Sequence, residues 1–196
     1  MHRPSHFVQV PFAEAAQEIS GAATCQQHEP ACDPEWDYPS RAITMLVHTD
    51  DAGDGGVCTG TLLNDADPST YLPYPLTAHH CVSEQTRASS VETFWSFQSP
   101  RCSTGRQGLQ AVSGGADLRY DAKTTDTHFL RLGQPPPAGA LFADWSATLP
   151  ALGISVIGIQ HPRDRAQEIA VGSLAAYWNC WNFNYCGASA DPHALR

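Results

Sequence analysis

The chain has 196 residues, of which 42% are hydrophobic and only 16% charged, and a formal net charge of −9. That length can bury one large all-β domain or two small lobes, and the acidic balance, with no basic patch to neutralise phosphates, argues against a nucleic-acid partner. With 15 Gly and 15 Pro, the composition favours short strands joined by turns over long amphipathic helices.

In chain order, residues 1–24 are polar and Ala-rich with a weak helical stretch from Ala13 to Ile19, and read as a leader or the remnant of a pro-segment. A first strand is expected over Ala42–Val47, closed by the acidic turn Asp50–Gly56, and a second over Val57–Leu63. The acidic turn lacks the alternating Asp spacing and terminal Glu of a calcium loop, so it reads as a solvated hairpin turn. Tyr71–Thr77 reads as a third strand, made irregular by Pro73 and Pro75 because proline has no N–H to give a ladder. Val91–Phe97 fits a fourth, residues 103–116 are Gly- and Ser-rich and read as a loop, and Thr127–Leu132 is another short strand. The consecutive prolines Pro135, Pro136 and Pro137 bar regular structure and mark a boundary between two lobes. Beyond them Ile154–Ile159 and Glu168–Tyr177 read as strands, and Trp178–Gly187 is an aromatic, polar stretch. Short strands separated by turns imply an all-β barrel or sandwich.

Seven cysteines are many for a chain kept in a reducing compartment. No pair has the C-x-x-C spacing of a zinc site, so a disulfide framework and an oxidising, secreted location, extracellular or periplasmic, are expected. No secretory signal and no membrane span precede it: Met1-His2-Arg3-Pro4 leads into an apolar run too short for a signal core, which suggests that coding sequence lies upstream. An odd cysteine count leaves one thiol without a partner in the chain.

The most informative stretch is Leu76-Thr77-Ala78-His79-His80-Cys81, preceded at hairpin distance by Cys58-Thr59-Gly60-Thr61-Leu62-Leu63-Asn64. Together these segments resemble bacterial lysyl endopeptidases, trypsin-like serine proteases of the chymotrypsin fold. The resemblance implies a double β-barrel in which His80, the second of the two histidines, is the general base. It also implies that Cys81 bridges to Cys58 and restrains a base that must stay within hydrogen-bond reach of its nucleophile. Thr125-Asp126-Thr127-His128-Phe129-Leu130-Arg131-Leu132 resembles the family segment carrying the acid, which points to Asp126. Asp117 and Asp121 are neighbouring alternatives that open no apolar strand.

The resemblance covers roughly residues 25–196. Cys25 and Cys32, ahead of Asp33-Pro34-Glu35-Trp36, look like the pair that opens the mature enzyme, and Phe94–Cys102 resembles the segment whose cysteine pairs with the second of them, which implies Cys32–Cys102. Cys180 and Cys186 are close enough to pair locally, and Cys25 remains unpaired; in the relatives the first cysteine bridges to one beyond the serine. Gly158-Ile159-Gln160-His161-Pro162 resembles a strand end of the second lobe. The expected division is a leader over 1–24, a first barrel with catalytic His and Asp over 25–132, a linker over 133–150 and a partial second barrel over 151–196.

The family's nucleophile lies in a Gly-Asp/Ser-Ser-Gly turn after the acid. None of Ser146, Ser155, Ser173 and Ser189 is followed by Gly, so the resemblance implies that the chain ends before the nucleophile and the oxyanion hole. The expected function is therefore that of a trypsin-like serine endopeptidase acting on polypeptides, with this chain an inactive fragment; the alternative is a non-catalytic homologue serving as a secreted binding module. A monomer without cofactor, metal, membrane or nucleic-acid partner is expected. A metal hydrolase built on His79, His80 and Asp126 is disfavoured because adjacent histidines on a strand point apart. Trp178 and Trp181 read as packing residues, with one of them also able to lie against the histidine.

Overall fold

The computed structural model describes residues 30, 34–67, 69–98, 108–162, 165–182 and 185–189. Its architecture is all-β, with a complete first barrel and part of a second. The first barrel is a seven-stranded antiparallel sheet in the order β5-β4-β1-β2-β3-β7-β6, built from β1 (Ile43–Thr49), β2 (Gly55–Leu63), β3 (Tyr74–Thr77), β4 (Glu92–Trp95), β5 (Gln110–Ser113), β6 (Ala116–Ala122) and β7 (Thr127–Leu132). The two edge strands, β5 and β6, are consecutive in the chain and separated only by Gly114 and Gly115. Both glycines have positive φ, 149° and 66°, and a Cβ on Gly115 would stand 2.4 Å from the Ser89 carbonyl oxygen. A sharp corner that only glycine accommodates thus links the two edge strands of the sheet directly.

The interior is filled by residues of these strands together with the segment between β3 and β4. Leu46, Leu62, Val82, Ala88, Val91, Trp95, Ala116, Leu130 and Leu132 form one buried cluster with Cys81. Strand β7 shows the period most cleanly, with His128, Leu130 and Leu132 buried and the residues between them only partly so. Trp95 can be buried because its indole N–H donates to Thr93 Oγ1 at 2.9 Å.

Among the described residues two helices interrupt the β structure. Helix α1 (Pro34–Ser40) carries proline at its first position and acids in its first turn, the arrangement that suits a helix N-terminus; Arg41 pairs with Asp37 at 2.7 Å. Helix α2 (Gln85–Ser89) follows the His-His-Cys turn. Its Gln85 side chain donates to the Ala116 carbonyl and accepts from the Leu118 N–H, which satisfies backbone groups along β6. The turn Asp50–Asp54 is a hairpin turn, in which the Asp50 carboxylate accepts from the Ala52 and Asp54 N–H groups and pairs with Arg87.

The expected loop over 103–116 is corrected in its second half, where Gln110–Ser113 pairs with β4 and Ala116 opens β6. Gly and Ser there mark the corner, while Ala111 and Val112 lie opposite Phe94 and Thr93. The third strand, expected over Tyr71–Thr77, is corrected to β3 at Tyr74–Thr77, and Pro75 within it lies opposite Leu62. The proline-rich linker is anchored at its far end: Leu141 N–H donates to the Arg41 carbonyl, Ala143 N–H to that of Leu62, and Asn64 N–H to that of Ala143.

After the linker come two ribbons, β8 (Ser155–Gln160) with β9 (Glu168–Ser173), and β10 (Tyr177–Asn182) with β11 (Tyr185–Ser189). The single strand expected over Glu168–Tyr177 is corrected: β9 ends at Ser173, Leu174 still exchanges backbone hydrogen bonds with Gly153 and Ile154 just before β8, and Tyr177 opens β10. The stretch from Trp178 to Gly187 forms the second hairpin, in which Cys180 lies opposite Cys186 in the backbone register. The first ribbon is fastened to the barrel by Gln167, fully buried, whose N–H donates to the Phe97 carbonyl and whose side-chain amide donates to the carbonyls of Ser40 and Ile43. Among the described residues no helix is long and apolar enough to cross a membrane.

Candidate active site

Strand register brings the two predicted residues together. In the β3–β7 ladder Leu76 lies opposite Phe129 and Thr77 opposite His128. Continuing that antiparallel step places His79 opposite Asp126, and the His79 N–H indeed donates to the Asp126 carbonyl at 3.1 Å. Asp126 closes the β6–β7 turn and has φ 52°, a left-handed conformation uncommon for a non-glycine residue. This turn aims its carboxylate back across the ladder. Oδ1 accepts the His80 backbone N–H at 2.9 Å and Oδ2 faces His80 Nδ1 at 2.7 Å. One carboxylate therefore holds both the main chain and the ring of His80. Both side chains reach solvent, at 56% exposure for His80 and 34% for Asp126.

The turn bearing His80 is held from below as well. Cys81 N–H donates to the Ala78 carbonyl at 3.1 Å, Thr77 Oγ1 donates to the Thr59 carbonyl at 2.8 Å, and Cys81 is disulfide-bonded to Cys58 on β2 with Cα atoms 6.1 Å apart. The other expected cysteine pairings involve Cys25, Cys32 and Cys102, which lie outside the described residues, and Cys180 with Cys186, for which the backbone register alone is described.

Asp121, weighed above only as an alternative acid, engages two other histidines. It faces His79 Nδ1 at 2.5 Å and His128 Nδ1 at 3.1 Å through the same oxygen. Burial would raise its pKa, but the hydrogen bonds from His79 and His128 and the electrostatic attraction of their rings outweigh that and hold it below the ordinary carboxylate value. Sequence reasoning missed His128 altogether; the available signal was its place two residues after Asp126, on the inward face of an alternating strand. His79, His80 and Asp126 do not converge on one point, since the adjacent histidines turn to different carboxylates.

The serines after Asp126 occupy strands and loops. Ser155 and Ser173 lie opposite each other across β8 and β9, Ser189 ends β11 opposite Tyr177, and Ser146 Oγ accepts the Thr148 N–H in the loop before β8.

His161 closes the junction between barrel and ribbon. Its N–H donates to Thr59 Oγ1, its Nδ1–H to the Arg165 carbonyl, and its ring stacks on Phe97. Burial lowers its pKa from the ordinary 6.5, with the Arg165 carbonyl acting in the opposite direction. His48 is lowered too, first by burial and then by the Arg87 charge. Below about pH 6.5 the unfolded chain binds protons at these positions that the folded chain refuses, so stability is retained above that pH and falls as the pH drops through it. Urea midpoints measured at stepwise lower pH are expected to decline from that point, and the decline should be shallower in His161→Gln; an unchanged slope in the variant would remove His161 as a cause.

The family model described as lysyl endopeptidase, C-terminal domain, matches residues 15–191. A lysyl endopeptidase of Pseudomonas aeruginosa is 35% identical over 148 residues, covering 72% of this chain and 31% of that protein. The chain thus spans about a third of the length of this curated relative. A solved structure described as "Structure of GrC" aligns at 16% identity with a TM-score of 0.44, covering 74% of this chain and 63% of that one.

Proposed function

From the premise that the chain belongs to the family of lysyl endopeptidase C-terminal domains, we propose that it carries the general base and orienting acid of a secreted, trypsin-like serine endopeptidase. His80 is the base and Asp126 the acid, and the substrate is a polypeptide. The observation that carries this reading is the double engagement of His80 by Asp126, at its backbone N–H and at ring Nδ1. An ionised carboxylate can only accept, so it holds the proton on Nδ1 and leaves Nε2 as the basic nitrogen. That tautomer is the one able to take a proton from an attacking hydroxyl, and the carboxylate stabilises the imidazolium that results.

In this reading residues 25–132 are the barrel that supplies base and acid, 133–150 the linker, and 151–196 part of the barrel that would present substrate and nucleophile. The positions of Ser146, Ser155, Ser173 and Ser189 in strands and an ordinary loop support the view that the 196-residue chain alone does not hydrolyse peptides. An intact His80–Asp126 pair favours catalysis over the reading as a binding module, which would have no use for an oriented imidazole.

The test is to express the chain alone and with whatever coding sequence follows Arg196, then to assay cleavage of peptide amides. No cleavage is expected from the chain alone, and cleavage abolished by His80→Ala from a product whose added sequence contains a Gly-x-Ser-Gly turn. Hydrolysis that survives His80→Ala would overturn the assignment.

A further inference from the structure

Beside the His80–Asp126 pair lies a second carboxylate–imidazole cluster drawn from three elements. His79 follows β3, Asp121 lies near the end of β6 and His128 near the start of β7, where it is directly opposite Asp121 on one side and Thr77 on the other. The three side chains are progressively buried, with Asp121 30% exposed, His79 15% and His128 0%. We propose that Asp121, His79 and His128 act as a positioning network that fixes the His-His-Cys turn against the β6–β7 hairpin, at the separation the His80–Asp126 pair needs. This inference rests on the reading of that pair as catalytic base and acid.

The connectivity gives the reason. Asp126 sits on the tip of the β6–β7 hairpin and His80 on the turn after β3, so their contact depends on how the tip lies over the turn. Only a short stretch of β3–β7 ladder, Leu76 with Phe129 and Thr77 with His128, precedes that point. Asp121 adds a tie from the far strand of the hairpin to the residue adjoining His80. As an ionised acceptor it requires the proton on Nδ1 of both rings, which orients His79 away from His80. His128 anchors the carboxylate from the interior.

The same donor atoms lie within 4.8 Å of one another, a spacing compatible with a metal ion. Ligation through His128 Nδ1 would, however, place a proton on Nε2, which is buried with no hydrogen-bond partner among the described residues. An unpartnered buried N–H is costly, and histidine ligands ordinarily donate their second N–H to a carboxylate or carbonyl. The unprotonated Nε2 of a hydrogen-bonded neutral ring leaves no such donor stranded.

The experiment follows the His80 Nδ1 proton by NMR in the 196-residue chain labelled at histidine nitrogen, with the resonance identified by its loss in Asp126→Asn. In His79→Ala and Asp121→Ala, exchange of that proton with water is expected to be at least about tenfold faster, the size of effect that follows from losing a charged hydrogen bond. His79→Asn, whose side-chain amide places an N–H near the Nδ1 position, should restore slow exchange. A network with a merely structural role would lower the melting temperature and leave this proton unchanged, and that result overturns the proposal. If Asp121→Ala does not fold, His79→Ala on the surface turn decides alone. Loss of the wild-type signal on adding a chelator would overturn the proposal in favour of a metal centre. A wild-type chain with no Asp126-dependent His80 proton would refute the catalytic-pair reading itself, and the network with it.

Discussion

Replacing Cys58 and Cys81 together by alanine is expected to lower the stability of the chain by about 3 kcal/mol, the loop-closure entropy that a bridge of this span removes from the unfolded state. The bridge joins residues separated by 23 positions, enclosing the end of β2, the Asn64–Pro73 connection and all of β3. Alanine is the suitable replacement because Cys81 is 7% exposed and belongs to the core cluster, where a serine hydroxyl would need a partner. The measurement is the shift in urea midpoint at constant slope, with the wild-type chain in reductant as a parallel case. A double variant within about 0.5 kcal/mol of wild type would show that the bridge does not constrain the unfolded chain. Functionally the change loosens the residue next to His80, so the His80 N–H to Asp126 hydrogen bond should weaken along with the fold.

If the proposed function holds, Asp126→Asn is expected to lower kcat by about four orders of magnitude in any product that cleaves peptides, with little change in stability. Asparagine tolerates the left-handed backbone at this position, and its carbonyl can still accept the His80 N–H. Its amide N–H, turned toward Nδ1, would demand a lone pair there and drive the ring proton to Nε2. The imidazole would then present a donor where a base is required. The assay is kcat on a peptide amide in variant and parent of equal melting temperature, and a loss smaller than about tenfold would remove Asp126 from the role of orienting acid.

Much of the barrel was legible because its strands are short β-prone apolar runs bounded by turn residues. Residues 127–132 were recognised as they fold, since a buried Leu or His every second position cannot be satisfied by a helix. Strand β5 was not, because residues 103–116 carry the Gly and Ser of a corner, and local composition reports the turn more loudly than the short pair of strands flanking it. The two helices escaped notice for a related reason: at seven and five residues they are too short for helical periodicity to show, and tertiary contacts such as Gln85 with β6 and Arg87 with Asp50 hold them in place. The hairpin of β10 and β11 was hidden by its polarity.

The site divides in the same way. His80, Asp126 and the Cys58–Cys81 pairing could be named from the sequence because the family resemblance that points to them is carried by short segments of neighbouring residues; the structure brings His80 to Asp126 and joins the two cysteines. What the tertiary structure alone decided is how adjacent residues part company: His80 goes to Asp126, while His79 goes to Asp121 and, through it, to His128. That separation depends on the register of β3 with β7, which leads His79 and His80 to carboxylates more than forty positions away, and on that of β6 with β7, a local hairpin that sets Asp121 opposite His128. A one-residue slip in either ladder would turn these side chains to opposite faces. Register is a property of the whole packed sheet, set by which face of every strand must be buried, and no short segment of the chain contains it.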